Sequence, residues 1–287
     1  MKISINPAYV EKRPDGSVRT MEECFRLCRE AGFTVFDFTV SPAMDNWEDN
    51  AKRLADYTAK IGAEVHQSHA PMNRYAKLDP DLHRERVRRM IKATAIMGGK
   101  YVVIHADEYW APEGKPFSPE DALAWIVEYY RPMVEYAAEL GLTVAVENLF
   151  EDGFNLRPID ARNRYTHYAE EVIAVMDAFK EYGAGCCFDY GHGHVAYGDR
   201  DVEAAAKLAD RIVCTHVHDN YYNRDLHLLP YCGKVNWAAH MQILRDAGYT
   251  GNLNLELVYG SYPDELVGDM LAWAYRAATT LEGEFCG

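Results

Sequence analysis

The sequence predicts a single (β/α)8 barrel over residues 1–287. Three observations predict it: eight short β-rich runs, a segment of helical period after each, and no Pro-, Gly- or Ser-rich linker between them. The length agrees, because α/β barrels commonly run to about 250 residues as one domain. The strand candidates are KISIN from Lys2, TVFDFTV from Thr34, EVHQSHA from Glu64, YVVIHAD from Tyr101, TVAVENL from Thr143, GCCFDYGH from Gly185, RIVCTHVHD from Arg211 and NLNLELV from Asn252. Their near-continuous apolar character suits parallel strands covered by helices.

Helical period follows in MEECFRLCREAG, NWEDNAKRLADYTAKIG, DLHRERVRRMIKATAIMGG, PEDALAWIVEYYRPMVEYAAELG, YAEEVIAVMDAFKEYG, DVEAAAKLA and WAAHMQILRDAGY, with a last segment from Pro263. Four of these close on a glycine, at Gly32, Gly62, Gly141 and Gly183, as helix C-termini commonly do.

Composition narrows the function. With 48% hydrophobic and 26% charged residues the chain has the make-up of a soluble globular protein. No apolar run reaches the roughly 18 residues that a membrane span needs, and MKISINPAYVEKRPDG lacks a signal-peptide apolar stretch. A cytoplasmic enzyme is therefore expected. The seven cysteines contain no CxxC pair, and Cys186 and Cys187 adjoin inside an apolar run, so reduced, buried thiols are expected rather than disulfides. A net charge of −14 speaks against a nucleic-acid partner, which would be bound through clustered Lys and Arg. A small molecule is the expected partner, and a homo-oligomer stays open.

A barrel carries its chemistry at the C-terminal ends of its strands. There the sequence sets His69 on the third strand, His105 on the fourth, Glu147 on the fifth, Asp189 and His192 on the sixth, His216 and His218 on the seventh, and Glu256 on the eighth. Imidazole and carboxylate are costly to bury unpaired, so such a collection points to a divalent cation. Glu147, Asp189, one of His216 or His218, and Glu256 come from four strands and form the expected ligand set. His216 and His218, two residues apart, share a face.

On the loop after the seventh strand stand Arg224, a candidate clamp for a phosphate or acid group, and the pair Asp225 and His227. With His192, that pair makes either a second metal site or a hydrogen-bonded network that holds the loop. Of His66 and His69, which differ in phase, His69 is read as facing inward. His83, His167 and His240 are read as surface residues. Phe38, Tyr109, Trp110, Phe150 and Tyr190 are candidates for an apolar wall. The segments EYWAPEGKPFSPE and FEDGFNLRPIDARNRYTH are long for βα loops and read as lids. The RERVRR run, with Arg84, Arg86, Arg88 and Arg89, reads as a solvated helix face.

The motifs AVENLF, FDYGHGH, HVHDN, DLHLLPYCGKVNW and NLNLELV together resemble the xylose isomerase-like barrel superfamily, and within it the sugar phosphate isomerase/epimerase group. The resemblance runs in order over most of the chain. It implies one divalent metal ion (Mn, Mg, Co or Zn) on Glu147, Asp189, His216 and Glu256. Ketose 3-epimerases, whose H-x-H…N-R resembles HVHDNYYNR, would make His218 the ligand instead and place Arg224 on substrate. A sugar, sugar phosphate or polyol substrate is implied, with Glu147 and Glu256 as acid and base through a metal-stabilised enediolate. His69, His105, His192, His218, Arg224, Asp225 and His227 would then surround it. Catalysis on two faces would be epimerisation and on one face isomerisation.

LLPYCGKVNW departs from the sugar-isomerase PGxGxIDW stretch, with Tyr231 for the first Gly and Asn236 for the Asp. Two alternatives share the scaffold. Inosose and dehydroshikimate dehydratases are one. Endonuclease IV, a zinc-dependent apurinic-site nuclease, is the other, and its whole ligand set resembles His69, His105, Glu147, Asp189, His192, His216, Asp225, His227 and Glu256.

Overall fold

The computed structural model describes residues 1–71, 79–107, 109–151, 162–221, 224–258 and 260–287. Eight strands form one parallel sheet: β1 Lys2–Ile5, β2 Val35–Asp37, β3 Glu64–His69, β4 Tyr101–Ile104, β5 Thr143–Glu147, β6 Gly185–Asp189, β7 Ile212–His216 and β8 Asn252–Leu255. From β1 to β7 each strand pairs with its sequence neighbour, and β1 pairs with β8. Just beyond β7 the sheet closes on itself: Val217 N donates to the Asn254 carbonyl at 2.7 Å and Glu256 N donates to the Val217 carbonyl at 3.1 Å. The expected (β/α)8 TIM barrel is the fold.

The helices are α1 Met21–Glu30, α2 Trp47–Lys60, α3 Pro80–Ile96, α4 Pro119–Glu139, α5 Ala169–Ala178, α6 Tyr190–Tyr197, α7 Asp201–Leu208, α8 Trp237–Asp246 and α9 Asp264–Cys286. Their starts are written locally. Thr20 and Glu23 form a reciprocal capping box on α1, while Asp79 and Ser118 cap α3 and α4 just ahead of a proline, which needs no N–H partner there. Gly62 and Gly141 follow α2 and α4 at φ +66° and +74°, left-handed values that glycine adopts without a Cβ penalty. None of the described helices is long and apolar enough to cross a membrane.

Two expectations are corrected. The sixth strand ends at Asp189 instead of running to His192, because the Asp189 carboxylate accepts the His192 N–H at 2.6 Å and starts α6 at Tyr190. The surface assignment of three histidines also fails: His83, His167 and His240 are all buried. Each finds a polar partner inside. His83 Nδ1 meets the Tyr129 hydroxyl at 2.8 Å, His167 Nδ1 accepts the Glu151 N–H at 3.0 Å, and His240 Nε2 lies 3.0 Å from Asp201. All seven cysteines are free, and Cys24, Cys28, Cys186, Cys187 and Cys214 are buried, as expected.

The barrel interior is layered. Val103, Ala145, Cys187 and Cys214 pack together as a small apolar cluster of their own. A second set of inward residues is polar and fully buried: Ser4, Gln67, Thr215 and Asn254. Beyond the strands' C-terminal ends lie the acidic and imidazole groups. Of the two lid candidates, residues 152–161 and 108 fall outside the described residues.

Candidate metal centre

Ten side chains from the mouth of the barrel converge in three groups: Glu147, Asp189, His216 and Glu256; His69, His105 and Glu147; and His192, His218, Asp225 and His227. In the first, His216 Nδ1 lies 3.2 Å from Glu147 Oε1, 3.1 Å from Glu256 Oε2 and 3.7 Å from Asp189 Oδ2. Metal bonds of about 2.0–2.2 Å place neighbouring ligand atoms roughly 3–3.5 Å apart, so this spacing suits a shared cation. Glu147 links the first two groups, because its Oε2 lies 3.0 Å from His69 Nε2 and 3.4 Å from His105 Nε2. Asp189 links the first to the third through His218 Nε2 at 3.1 Å.

Backbone acceptors aim several of these rings. His69 Nδ1–H donates to the Ala70 carbonyl at 2.7 Å and His227 Nδ1–H to the Glu256 carbonyl at 2.9 Å, which leaves Nε2 of each for the cluster. The Asp225 carboxylate lies 2.9 Å from His227 Nε2 and 3.5 Å from His192 Nε2. Asp219 fastens the loop that carries this pair, since its carboxylate accepts N–H groups from Asn220, Val235 and the Trp237 indole. Buried His218 Nδ1 and Asp225 Oδ1 have no hydrogen-bond partner among the described residues. Orphaned polar atoms beside converging carboxylates are the chemistry of a cation site.

Electrostatics in this crowd run against burial. Burial alone would raise the Glu147 and Glu256 carboxyls, but His216 facing both, with His105 on Glu147, outweighs it and holds them well below the usual range. Burial would likewise lower His227, yet the Asp225 hydrogen bond and the Glu256 charge raise it to about 9. The same contest raises His192 and His216.

The first group is sealed below and open on one side. Glu147, Asp189 and His216 are buried, whereas the Glu256 side chain keeps 23% of its surface and that of His69 keeps 21%. Glu256 and His69 also border a cavity of about 670 Å³, walled by Phe38, Val40, Leu54 and Met90.

The remaining candidates divide. His216 and His218 are both buried, as their spacing required, but they join different groups. Arg224 stands exposed on its loop, outside all three. Phe150 packs on His192 with ring centroids 5.0 Å apart, and Phe38 lines the cavity. Tyr190 belongs to the core against Phe188 and Trp237, Tyr109 packs on Phe117, and Trp110 is exposed. His66 turns away to Tyr101. In the arginine run, Arg84 pairs with Asp81, Arg89 with Glu85, and Arg88 lies over the Tyr136 ring, so three of the four face their own helix layer, while Arg86 lines the cavity.

Two site residues escaped the sequence reading. Asp37, the last residue of β2, is buried with Oδ2 3.5 Å from His216 Nε2. Its signal was a lone carboxylate inside the apolar run TVFDFTV. Gly191, in the first turn of α6, lies against the His218 ring, where any Cβ would collide with that ring.

Residues 25–277 match the family described as xylose isomerase-like TIM barrel. The chain belongs to that family. An uncharacterized protein from Sinorhizobium fredii is 24% identical over 270 residues, covering 82% of this chain and 80% of its own. Among solved structures, D-psicose 3-epimerase with D-tagatose from Clostridium cellulolyticum H10 superposes at a TM-score of 0.74 with 14% identity, covering 98% of this chain and 99% of its own. The IOLI protein with a binding zinc atom superposes at 0.68 with 16% identity, covering 99% of this chain and 98% of its own. At such identities the likeness to solved structures is one of fold.

Proposed function

We propose that the protein is a divalent-metal-dependent isomerase or epimerase of a small sugar or polyol. The observation that carries this reading is the convergence of Glu147, Asp189, His216 and Glu256, from the ends of four strands, beside an open cavity. Sugar-epimerase relatives and a zinc-holding relative of the same fold support it. A bound divalent ion would supply Lewis-acid stabilisation of the negative charge that develops when a proton leaves the carbon next to a carbonyl.

The chain's own residues do the rest. Glu147 and Glu256, both kept ionised by His216, are able to accept a carbon-bound proton at neutral pH. They enter from β5 and from the end of β8, so for epimerisation one takes the proton and the other returns it, whereas isomerisation needs one of them on one face. Glu256, on the cavity side, meets substrate first. His69, His105 and His192 surround Glu147 with imidazoles within 3.4 Å and hold its carboxylate in place. His218, Asp225 and His227 line the far wall, where they hold either substrate hydroxyls or a second ion.

The test is proton exchange. Metal-loaded protein incubated with D-fructose, D-tagatose and D-psicose in D2O should place deuterium on carbon 3 for an epimerase or on carbon 1 for an isomerase, read by NMR. Absence of exchange with every ketose and inosose tried would overturn the reading.

One observation favours a second reading, phosphodiester cleavage at abasic sites: the nine residues that resemble endonuclease IV fall into the same three groups. Against it, most of the RERVRR arginines are engaged on their own helix layer. Two or three zinc ions per chain together with nicking of abasic DNA would establish it.

A further inference from the structure

We propose that Asp37 is a positioning residue, which holds His216 with Nε2 toward the barrel axis and Nδ1 toward the metal set. This inference rests on the metal-site reading above. Asp37 is a buried carboxylate with no Lys or Arg in ion-pair reach among the described residues. Such a group is costly unless donors satisfy it.

Its donors are specific. Gln67 Nε2 on β3 donates to Asp37 Oδ2 at 3.2 Å and Asn254 Nδ2 on β8 donates to the same oxygen at 3.0 Å. The Asn254 amide cannot turn round, because Ser4 Oγ donates to its Oδ1 at 2.8 Å and so directs its N–H2 group at Asp37. The polar tier inside the barrel thus holds one carboxylate in a fixed pose.

The remaining neighbour of that oxygen is His216 Nε2 at 3.5 Å. That nitrogen is buried and has no hydrogen-bond partner among the described residues, so Asp37 is the acceptor toward which its proton can point. Such contacts are often long before the ligand binds and shorten afterwards. With the proton on Nε2, the Nδ1 lone pair faces Glu147, Asp189 and Glu256. A ligating histidine that donates its other N–H to a carboxylate is fixed in tautomer and ring orientation, and loss of the carboxylate typically costs about 10–100-fold in metal affinity.

The experiment is a Co2+ titration of metal-stripped wild type, Asp37→Asn and Asp37→Ala, reading the dissociation constant, the visible absorption band and the melting temperature. Both variants should bind Co2+ about 10–100-fold more weakly with an altered band. Equal affinity and an unchanged band in a folded Asp37→Asn would overturn the inference and leave the metal reading intact. If wild type takes up no Co2+, the metal reading fails and this inference with it. Should both variants unfold, 15N-histidine NMR of Zn2+-loaded wild type decides: metal on His216 Nδ1 with a proton on Nε2 supports the role, and metal on Nε2 overturns it.

Discussion

Behind the sheet, the Asp201 carboxylate at the start of α7 lies 3.1 Å from His194 Nδ1 and 3.0 Å from His240 Nε2. At the barrel mouth, Glu147 lies within 3.4 Å of His69, His105, His192 and His216. The residue types are the same, and Asp201 and Glu147 are both buried. In the first, one carboxylate serves two imidazoles that come from neighbouring helices, and burial is balanced by pairing. In the second, carboxylates from two further positions, Asp189 and Glu256, also face His216, so Glu147, Asp189 and Glu256 crowd one point. Among the described residues, the groups whose ligand atoms converge on a common point all lie at the mouth. Composition alone does not distinguish a cation site from a structural tie; excess carboxylate from separate strands does.

That contrast is open to attack by mutation. The largest effect belongs to Glu256→Gln, which removes a proposed acid/base group that borders the cavity: turnover should fall by about 10²–10⁴-fold in steady-state assays. Asp201→Asn in the same assay should leave turnover near wild type, and equal losses in the two variants would erase the distinction drawn between the clusters.

Asp201→Asn should instead cost stability, about 3 kcal/mol in denaturant unfolding, because two buried imidazoles lose the carboxylate they face. Burial would raise the Asp201 carboxyl, but the His194 and His240 contacts outweigh it and hold it at about 2. A carboxyl with a depressed pKa contributes stability above its unfolded value and loses it as pH falls through the folded one. The deficit of the variant should therefore be full at pH 5–7 and shrink as pH approaches 2. A deficit that stays constant down to that pH would contradict the ion-pair account.

Gly191→Ala tests the third group. The new Cβ displaces the His218 ring, so any ion held with His192, Asp225 and His227 should bind about 10-fold more weakly by competitive chelation. The smallest effect is expected at Tyr231, whose φ of +71° is left-handed and whose hydroxyl donates to Glu284 at 2.9 Å. Tyr231→Gly relieves the backbone and loses that bond, so its unfolding free energy should stay within about 1 kcal/mol of wild type. A larger loss would show that the Glu284 contact governs the segment.

Much of this was legible because a parallel barrel sends every strand end to one face. Once eight strands were counted, His69, Glu147, Asp189 and His216 had to meet, and Glu256 one residue past β8 followed. The same rule has a blind side. Asp37 reads as part of an apolar strand, and its importance depends on Gln67, Asn254 and His216, which lie 30 to more than 200 residues away. His240 looked like a helix-surface residue because its partner Asp201 belongs to another helix. The start of α6 was hidden because GCCFDYGH reads as a continuous apolar run, while the decisive event is a single cap from Asp189 to His192.

The central claim is that Glu147, Asp189, His216 and Glu256 hold a divalent cation. Elemental analysis of the purified, dialysed protein beside Glu147→Gln tests it most directly. At least one divalent ion per chain in wild type, and one fewer in the variant, is the predicted result. No ion under any loading condition, or an ion that Glu147→Gln retains with unchanged affinity, would contradict it.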